Sequence, residues 1–273
     1  MDGKYERFRK MHESDGAFVI PNPWNAGSAV ILEALGFEAL ATTSAGLAFA
    51  TGVRDASREV SREAALENAR EIVDATDLPV SADLEGGFGE QPQDCAETIR
   101  LASATGLVGG SIEDATGMSD KPIYDFSHSV ERIAAAADAA KGLPFLLTAR
   151  AENFLYGRPD LDDTIRRLQA FEQAGADVLY APGLPDLDAI RLVCASVSNP
   201  VNVVMGLSGP TWSVSQLAEA GVKRISVGGS FARAALGGFI RAANEVRERG
   251  TFTYAVEALP DAEAHRLMRR KTG

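Results

Sequence analysis

A chain of 273 residues holds one large α/β domain or two small ones, and 45% apolar with 24% charged residues is the balance of an ordinary globular protein. A net charge of −11 argues against nucleic acid and against anionic membrane surfaces, which both need positive patches. The two cysteines, Cys95 and Cys194, form no CxxC pair and give no disulfide framework, which points to a reducing cytoplasm, and no run of about 18 apolar residues predicts a membrane span.

Residues 1–16, charged at Lys4, Glu6, Arg7, Arg9 and Lys10, form an N-terminal helix without the apolar core of a secretory signal. Eight short apolar runs follow, at 17–20, 39–43, 79–83, 108–112, 145–149, 178–181, 201–204 and 224–227. Most are rich in small or β-branched residues, the pattern of strands buried on both faces of a parallel sheet. Amphipathic segments lie between them. Leu66, Ala69 and Val73 recur at helical spacing after Ser61, a predicted N-cap, and Leu161, Ile165 and Leu168 form the stripe of 159–174. Gly36, Gly106, Gly175 and Gly221 each stand between a helix and the next strand, where a left-handed C′ residue is needed. Eight such units without a linker predict a single-domain (β/α)8 TIM barrel, with a doubly wound sheet as the alternative. The helical tail 251–273 lies beyond the eighth helix. With Phe252, Tyr254, Val256 and Leu259 and the basic Arg266, Arg269, Arg270 and Lys271, it is expected to pack on a neighbouring subunit, against the alternative of a frayed end.

In a barrel, chemistry sits where strands end. Asp83 and Glu85 end the third strand, Glu113 the fourth and Arg150 the fifth. Buried carboxylates are costly unless paired or metal-bound. The three acids therefore predict an oxygen site for Mg²⁺ or Mn²⁺, with waters completing the shell, and the alternative is a network closed on Arg150. The three histidines, His12, His128 and His265, end no strand, which argues against zinc. Arg150 is expected to grip a substrate carboxylate, to pair with Glu113 or Glu152, or to do both. Thr43, Ser44 and Ala45, after the second strand, bring small side chains and backbone N–H groups to an oxyanion, unless they are a plain turn. Asp55, in the long connection that follows, joins the metal's water shell or acts on substrate, against an exposed loop position. Gly228 and Gly229 read as a phosphate turn or a simple cap, and Trp24, Asn25 and Asn202 as pocket lining or packing.

These residues resemble the isocitrate lyase/phosphoenolpyruvate mutase superfamily. The match runs through 21–29 (Pro-Asn-Pro-Trp-Asn-Ala-Gly-Ser-Ala), Gly36-Phe37, 43–46 (Thr-Ser-Ala-Gly), 52–55 (Gly-Val-Arg-Asp), 83–89 (Asp-Leu-Glu-Gly-Gly-Phe-Gly), 112–114 (Ile-Glu-Asp), Ala149-Arg150 and 174–177 (Ala-Gly-Ala-Asp). The resemblance implies a Mg²⁺-dependent, homo-oligomeric enzyme, a dimer or tetramer, that takes small 2-oxo or 2-hydroxy carboxylates through enolate-like species. Asp83, Glu85 and Glu113 would hold the ion directly or through waters. Thr43, Ser44 and Ala45 would cradle the substrate, Arg150 would neutralise it, and Asp55 would serve the shell or the reacting group. The expected activity is a C–C lyase or decarboxylase. A phosphonopyruvate P–C mutase or hydrolase and a non-catalytic 2-oxo acid binder are the alternatives. Three departures stand out. The lyases' Lys-Lys-Cys-Gly-His segment is replaced by 114–125, which holds no cysteine and in which Lys121 is the residue able to substitute for a gating lysine. Glu85 stands where aspartate is usual. Ala181-Pro182-Gly183 lacks a polar group after the sixth strand.

Overall fold

The eight apolar runs become eight parallel strands: β1 (Phe18–Ile20), β2 (Leu40–Ala41), β3 (Val80–Asp83), β4 (Gly109–Glu113), β5 (Leu146–Arg150), β6 (Val178–Tyr180), β7 (Val201–Val204) and β8 (Arg224–Ser226). The computed structural model describes residues 3–56 and 59–268. Strands pair in sequence order from β2 through β8, and β8 pairs with β1. A doubly wound sheet would reverse at a switch point, so the ring order decides for the barrel. Between β1 and β2 a ladder is replaced by single contacts. The Ala41 N–H donates to the Pro21 carbonyl at 3.0 Å. The Asn22 amide donates to the Thr42 carbonyl at 2.9 Å and accepts from the Val227 and Gly228 N–H groups at 2.9 and 2.8 Å. One side chain thus ties three strand ends across the seam. It also occupies two of the N–H groups that a phosphate turn after β8 would have offered.

The helices are α1 (Lys4–Glu13), α2 (Ala26–Ala34), α3 (Ser44–Thr51), α4 (Arg62–Ala75), α5 (Pro92–Ala104), α6 (Phe126–Ala140), α7 (Leu161–Gln173), α8 (Leu187–Ala195), α9 (Val214–Glu219), α10 (Ser230–Arg249) and α11 (Asp261–Leu267). Side chains of Asn25, Thr43, Ser61, Asp160, Asp186 and Ser213 accept first-turn N–H groups, each such cap stabilising its helix by about 1 kcal/mol. The four glycines between helix and strand all turn left-handed, with φ of 91–103°.

α1 stoppers the floor of the barrel. Phe8 is buried with Ile20, Ala39, Val108 and Leu146, and Gly109 leaves the space its ring fills. His12 follows one turn later. Burial, with Arg224 adding to it, pulls this imidazole down to about 3, so it is neutral across the physiological range. At the other end of the chain, α11 lies on α2 of its own barrel and buries Leu267. Phe252, Val256 and Leu259 stay exposed, and α10, although 20 residues long, buries only Ala232. The basic residues Arg269, Arg270 and Lys271 lie outside the described residues.

Candidate active site

β4 and β5 each run one residue further than the sequence pattern predicts, so that Glu113 and Arg150 become register partners at the strand ends. The Arg150 guanidinium, 12% exposed, meets three carboxylates: Asp83 at 3.1 Å, Glu113 at 3.1 Å and Glu152 at 2.9 Å. It also stands over the Tyr180 ring at 4.9 Å. Burial opposes its charge, but Glu113, Glu152 and Asp83 outweigh that and hold it firmly protonated. The network closed on Arg150 is therefore present. It does not take up all the acids.

Asp83 is anchored from several sides. Its Oδ2 accepts from the Ser44 hydroxyl at 2.9 Å and the Ser44 N–H at 3.3 Å, and its Oδ1 accepts from the Glu85 N–H at 3.2 Å. The Thr42 hydroxyl accepts the Asp83 N–H at 3.0 Å. Ser44 opens α3, so the positive end of that helix faces the acid. Asp55 arrives from the long loop and shares the Ser44 hydroxyl; burial and then the charge of Asp83 raise its carboxyl. Among the described residues the Glu85 carboxylate has no hydrogen-bond or ion-pair partner. Burial, then Asp83 and Asp55, push it up to about 7 against the pull of Arg150. Burial likewise lifts Glu113 and Glu152 above the usual carboxylate range, with Arg150 opposing.

Thr43 spends its hydroxyl on capping α3, where it accepts the Gly46 N–H at 3.2 Å. Ala45 follows Ser44 in the same turn and packs close to Gly229. Asn202 is buried inside the barrel, in a small cavity shared with Asp83, Arg150 and Tyr180. Both ends of its amide are engaged, donating to the Ser226 hydroxyl at 3.1 Å and accepting from Arg224 Nε at 2.9 Å. Trp24 packs over Gly46, and Asn25 is a helix cap. A larger cavity of about 440 Å³ opens beside Glu85 and Glu113, walled by Arg62, Phe88, Tyr124 and Tyr156. No thiol reaches it. Cys95 lies beneath Gly87 and Cys194 against Gly221, and burial pushes both up to about 11. Residues 114–125 fold back as a short hairpin in which Lys121 pairs with Asp125 at 2.5 Å.

Sequence reasoning missed a second buried layer. Asp114 accepts the Glu152 N–H at 2.8 Å and the Arg167 guanidinium at 2.9 Å, and Arg167 in turn holds Asp163 at 2.8 Å. Arg132, on α6, binds the carbonyls of the Glu85 loop. Both arginines sit on amphipathic helices, where a charge normally faces water, and their one sequence signal is a position on the apolar stripe.

Among the described residues no three acidic, histidine or cysteine side chains converge on one point at ligating distance. The cause is Arg150, which spreads Asp83, Glu113 and Glu152 around its own donors. The donor chemistry nevertheless suits a hard cation. Mg²⁺ keeps most of its waters and needs only one or two direct carboxylates, and the unpartnered Glu85 beside Asp83 is such a group.

Comparison with known proteins agrees with this geometry. A protein of Burkholderia cenocepacia J2315, provisionally described as a lyase/mutase, is 58% identical over 98% of this chain and 96% of its own, with a TM-score of 0.95. The 2-methylisocitrate lyase of Shewanella oneidensis is 31% identical over 80% of this chain and 77% of its own. A phosphonopyruvate hydrolase, solved with oxalate and Mg²⁺, is 25% identical over 97% of this chain and 95% of its own, with a TM-score of 0.87. The phosphoenolpyruvate phosphomutase family matches residues 8–247. The chain belongs to that family, within the isocitrate lyase/phosphoenolpyruvate mutase superfamily.

Proposed function

We propose that this protein is a Mg²⁺-dependent enzyme, with Mn²⁺ as the alternative ion, that cleaves a C–C bond in a small 2-oxo or 2-hydroxy carboxylate as a lyase or decarboxylase. The observation that carries the reading is the unpartnered Glu85 carboxylate, held beside Asp83 and Asp55 at a rim where the Arg150 guanidinium already serves three other acids. A cation relieves that crowding. Asp83, Glu85 and Glu113 would hold it directly or through waters. When bound, the ion supplies positive charge beside the oxygen that becomes an enolate.

The chain's own residues do the rest. The first turn of α3, with Thr43, Ser44 and Ala45, presents its dipole to the substrate carboxylate, with the Ser44 hydroxyl holding Asp83 beside it. Arg150 neutralises the other oxygens from a position fixed by Glu152 and the Tyr180 ring. Asp55 orders water or the reacting group through Ser44, and Asn202 positions Arg224 and Ser226 below. With no thiol at the rim, protonation by the isocitrate lyase route is not available. The hydroxyl of Tyr156, whose pKa is raised by burial and by Glu113 and Glu152, keeps its proton and faces the cavity.

The family match and the phosphonopyruvate hydrolase favour a second reading, cleavage or migration of a P–C bond at the same rim. A substrate panel separates the two. Mg²⁺-dependent pyruvate release from oxaloacetate or substituted malates supports the first; phosphate or phosphoenolpyruvate from phosphonopyruvate supports the second. Tight oxalate binding without turnover of any member would mark a binding barrel. Asp83→Asn should abolish Mg²⁺-dependent oxalate binding in calorimetry, and unchanged binding refutes the site. We also read the exposed face of α10, with Phe239 at 69% and Ile240 at 54%, as the contact of a homodimer or tetramer. The unpaired cysteines fit a reducing cytoplasm. No helix among the described residues is long and apolar enough to cross a membrane.

A further inference from the structure

Glu85 leaves β3 on an unusual stretch of backbone. Glu85 and Phe88 have φ of 47° and 57°, and Gly87 between them has φ of 78°. A side chain in this left-handed region costs roughly 1–2 kcal/mol, so the loop needs an external restraint. Arg132, 1% exposed on α6, supplies one. Its guanidinium donates to the carbonyl oxygens of Gly86, of Gly89 at 2.9 Å and of Glu90 at 2.6 Å, and it lies over the Tyr124 ring at 4.3 Å. From α5, the Thr98 hydroxyl donates to the Gly87 carbonyl at 2.8 Å, and Cys95 fills the space beside Gly87. Four carbonyls of one loop, those of Gly86, Gly87, Gly89 and Glu90, are thus held from behind by two helices.

The chemistry is specific. Among the described residues Arg132 has no carboxylate partner, and a buried guanidinium without one is costly unless its donors are used. Its two terminal nitrogens meet three acceptors from a fixed plane, a spread that the single ammonium of a lysine does not copy, while its Nε is buried without a partner. Arg132 therefore acts on the backbone of the loop, through its bonds to the Gly86, Gly89 and Glu90 carbonyls. The Glu85 carbonyl also accepts the Glu113 N–H at 3.0 Å, and a Cβ at Gly86 would meet the Ala115 carbonyl at 3.0 Å. A shift of this loop moves Glu85 against Glu113.

We propose that Arg132 is a positioning residue of the cation site: it fixes the left-handed turn that keeps the Glu85 carboxylate next to Asp83 and Glu113. This rests on the reading of Glu85 as a cation ligand. The test uses full-length Arg132→Met and Arg132→Lys, with hydrogen exchange over residues 84–92 and calorimetry of oxalate with Mg²⁺. In Arg132→Met, exchange in the loop rises while the strands stay protected, and Mg²⁺-dependent oxalate affinity falls roughly tenfold or more, the size of an outer-shell effect. Arg132→Lys recovers part of both, and it decides the matter alone if the methionine variant does not fold. Unchanged loop exchange overturns the proposal. So does faster exchange with unchanged affinity, which would make Arg132 a structural clamp only. If the wild-type protein binds no oxalate with Mg²⁺, the cation reading itself falls, an outcome distinct from both.

Discussion

Arg150→Gln tests the rim most directly. The substitution keeps a polar side chain but removes the charge that faces Asp83, Glu113 and Glu152 at 2.9–3.1 Å. An exposed ion pair is worth about 0–1 kcal/mol, but these side chains are 2–18% exposed, so the buried case applies and stranding the acids costs about 3–5 kcal/mol. At about 2–4 °C per kcal/mol for a chain of this size, Tm falls by roughly 6–20 °C. The sign with pH is fixed. Glu113 and Glu152 already sit above the usual carboxylate range, and losing Arg150 lifts them further. Between the unfolded and folded values the folded state holds more protons, so stability falls as pH rises through that window. Urea unfolding of metal-free protein at pH 5, 6.5 and 8 should therefore show the smallest loss at pH 5 and the largest at pH 8. A loss below about 1 kcal/mol, or one equal at all three pH values, refutes the reasoning.

Mg²⁺ at a hundred times its Kd should stabilise the fold by about 2.7 kcal/mol. The affinity should be higher at pH 8 than at pH 6, because Glu85, pushed up to about 7, must give up its proton; equal affinity at both counts against Glu85 as a ligand. Oxalate titrated into protein without Mg²⁺ should give no binding heat, and metal-independent binding would contradict a rim short of positive charge. Phe239→Asp on α10 should reduce the light-scattering mass towards the 28.9 kDa of one chain, and an unchanged mass removes that face as the contact. His12→Phe should lessen acid sensitivity. A histidine held near 3 contributes stability that is complete above its ordinary value of 6.5 and is lost as pH falls from there, so equal acid midpoints for variant and wild type would refute the assignment.

The strands were legible because each is buried on both faces and therefore almost purely apolar, and the glycines before them mark where a helix must stop. The ends of β4 and β5 were read one residue short, because a charged residue looks like the start of a loop. Glu113 and Arg150 extend the ladder since each neutralises the other across it. The acids of the rim, Arg150 and its pairing with Glu152 were readable from strand ends and from the superfamily motifs. Asn22 as the seam was not, because its partners stand 20 and about 205 residues away and nothing local requires them. Arg132 and Arg167 escaped for a related reason: helical periodicity places them on a face, and the carbonyls and acids they meet come from other units. Asn202 shows the converse, a strand-end amide whose donors and acceptors are taken up by Arg224 and Ser226 inside the barrel.

The charge inventory supports the proposed ion site over a plain salt-bridge network. Asp55, Asp83, Glu85, Glu113 and Glu152 stand around the guanidinium of Arg150, and burial raises the carboxyls of four of them, Asp55, Glu85, Glu113 and Glu152. A network evolved for rigidity would give each acid a cation or replace it, since apolar residues of similar volume pack as well at less cost. Here the surplus is retained, and Glu85 is set on strained backbone that Arg132 and α5 hold in place. Such an arrangement is unfavourable for folding, and on the proposed function a bound cation would relieve it. An anion alone meets a negative field. It is attracted only once that field is reversed, when the end of α3 and Arg150 can act on its oxygens. On the proposed function the rim would bind a cation and a carboxylate together and each poorly alone, the condition for stabilising an oxyanion that exists only during the reaction.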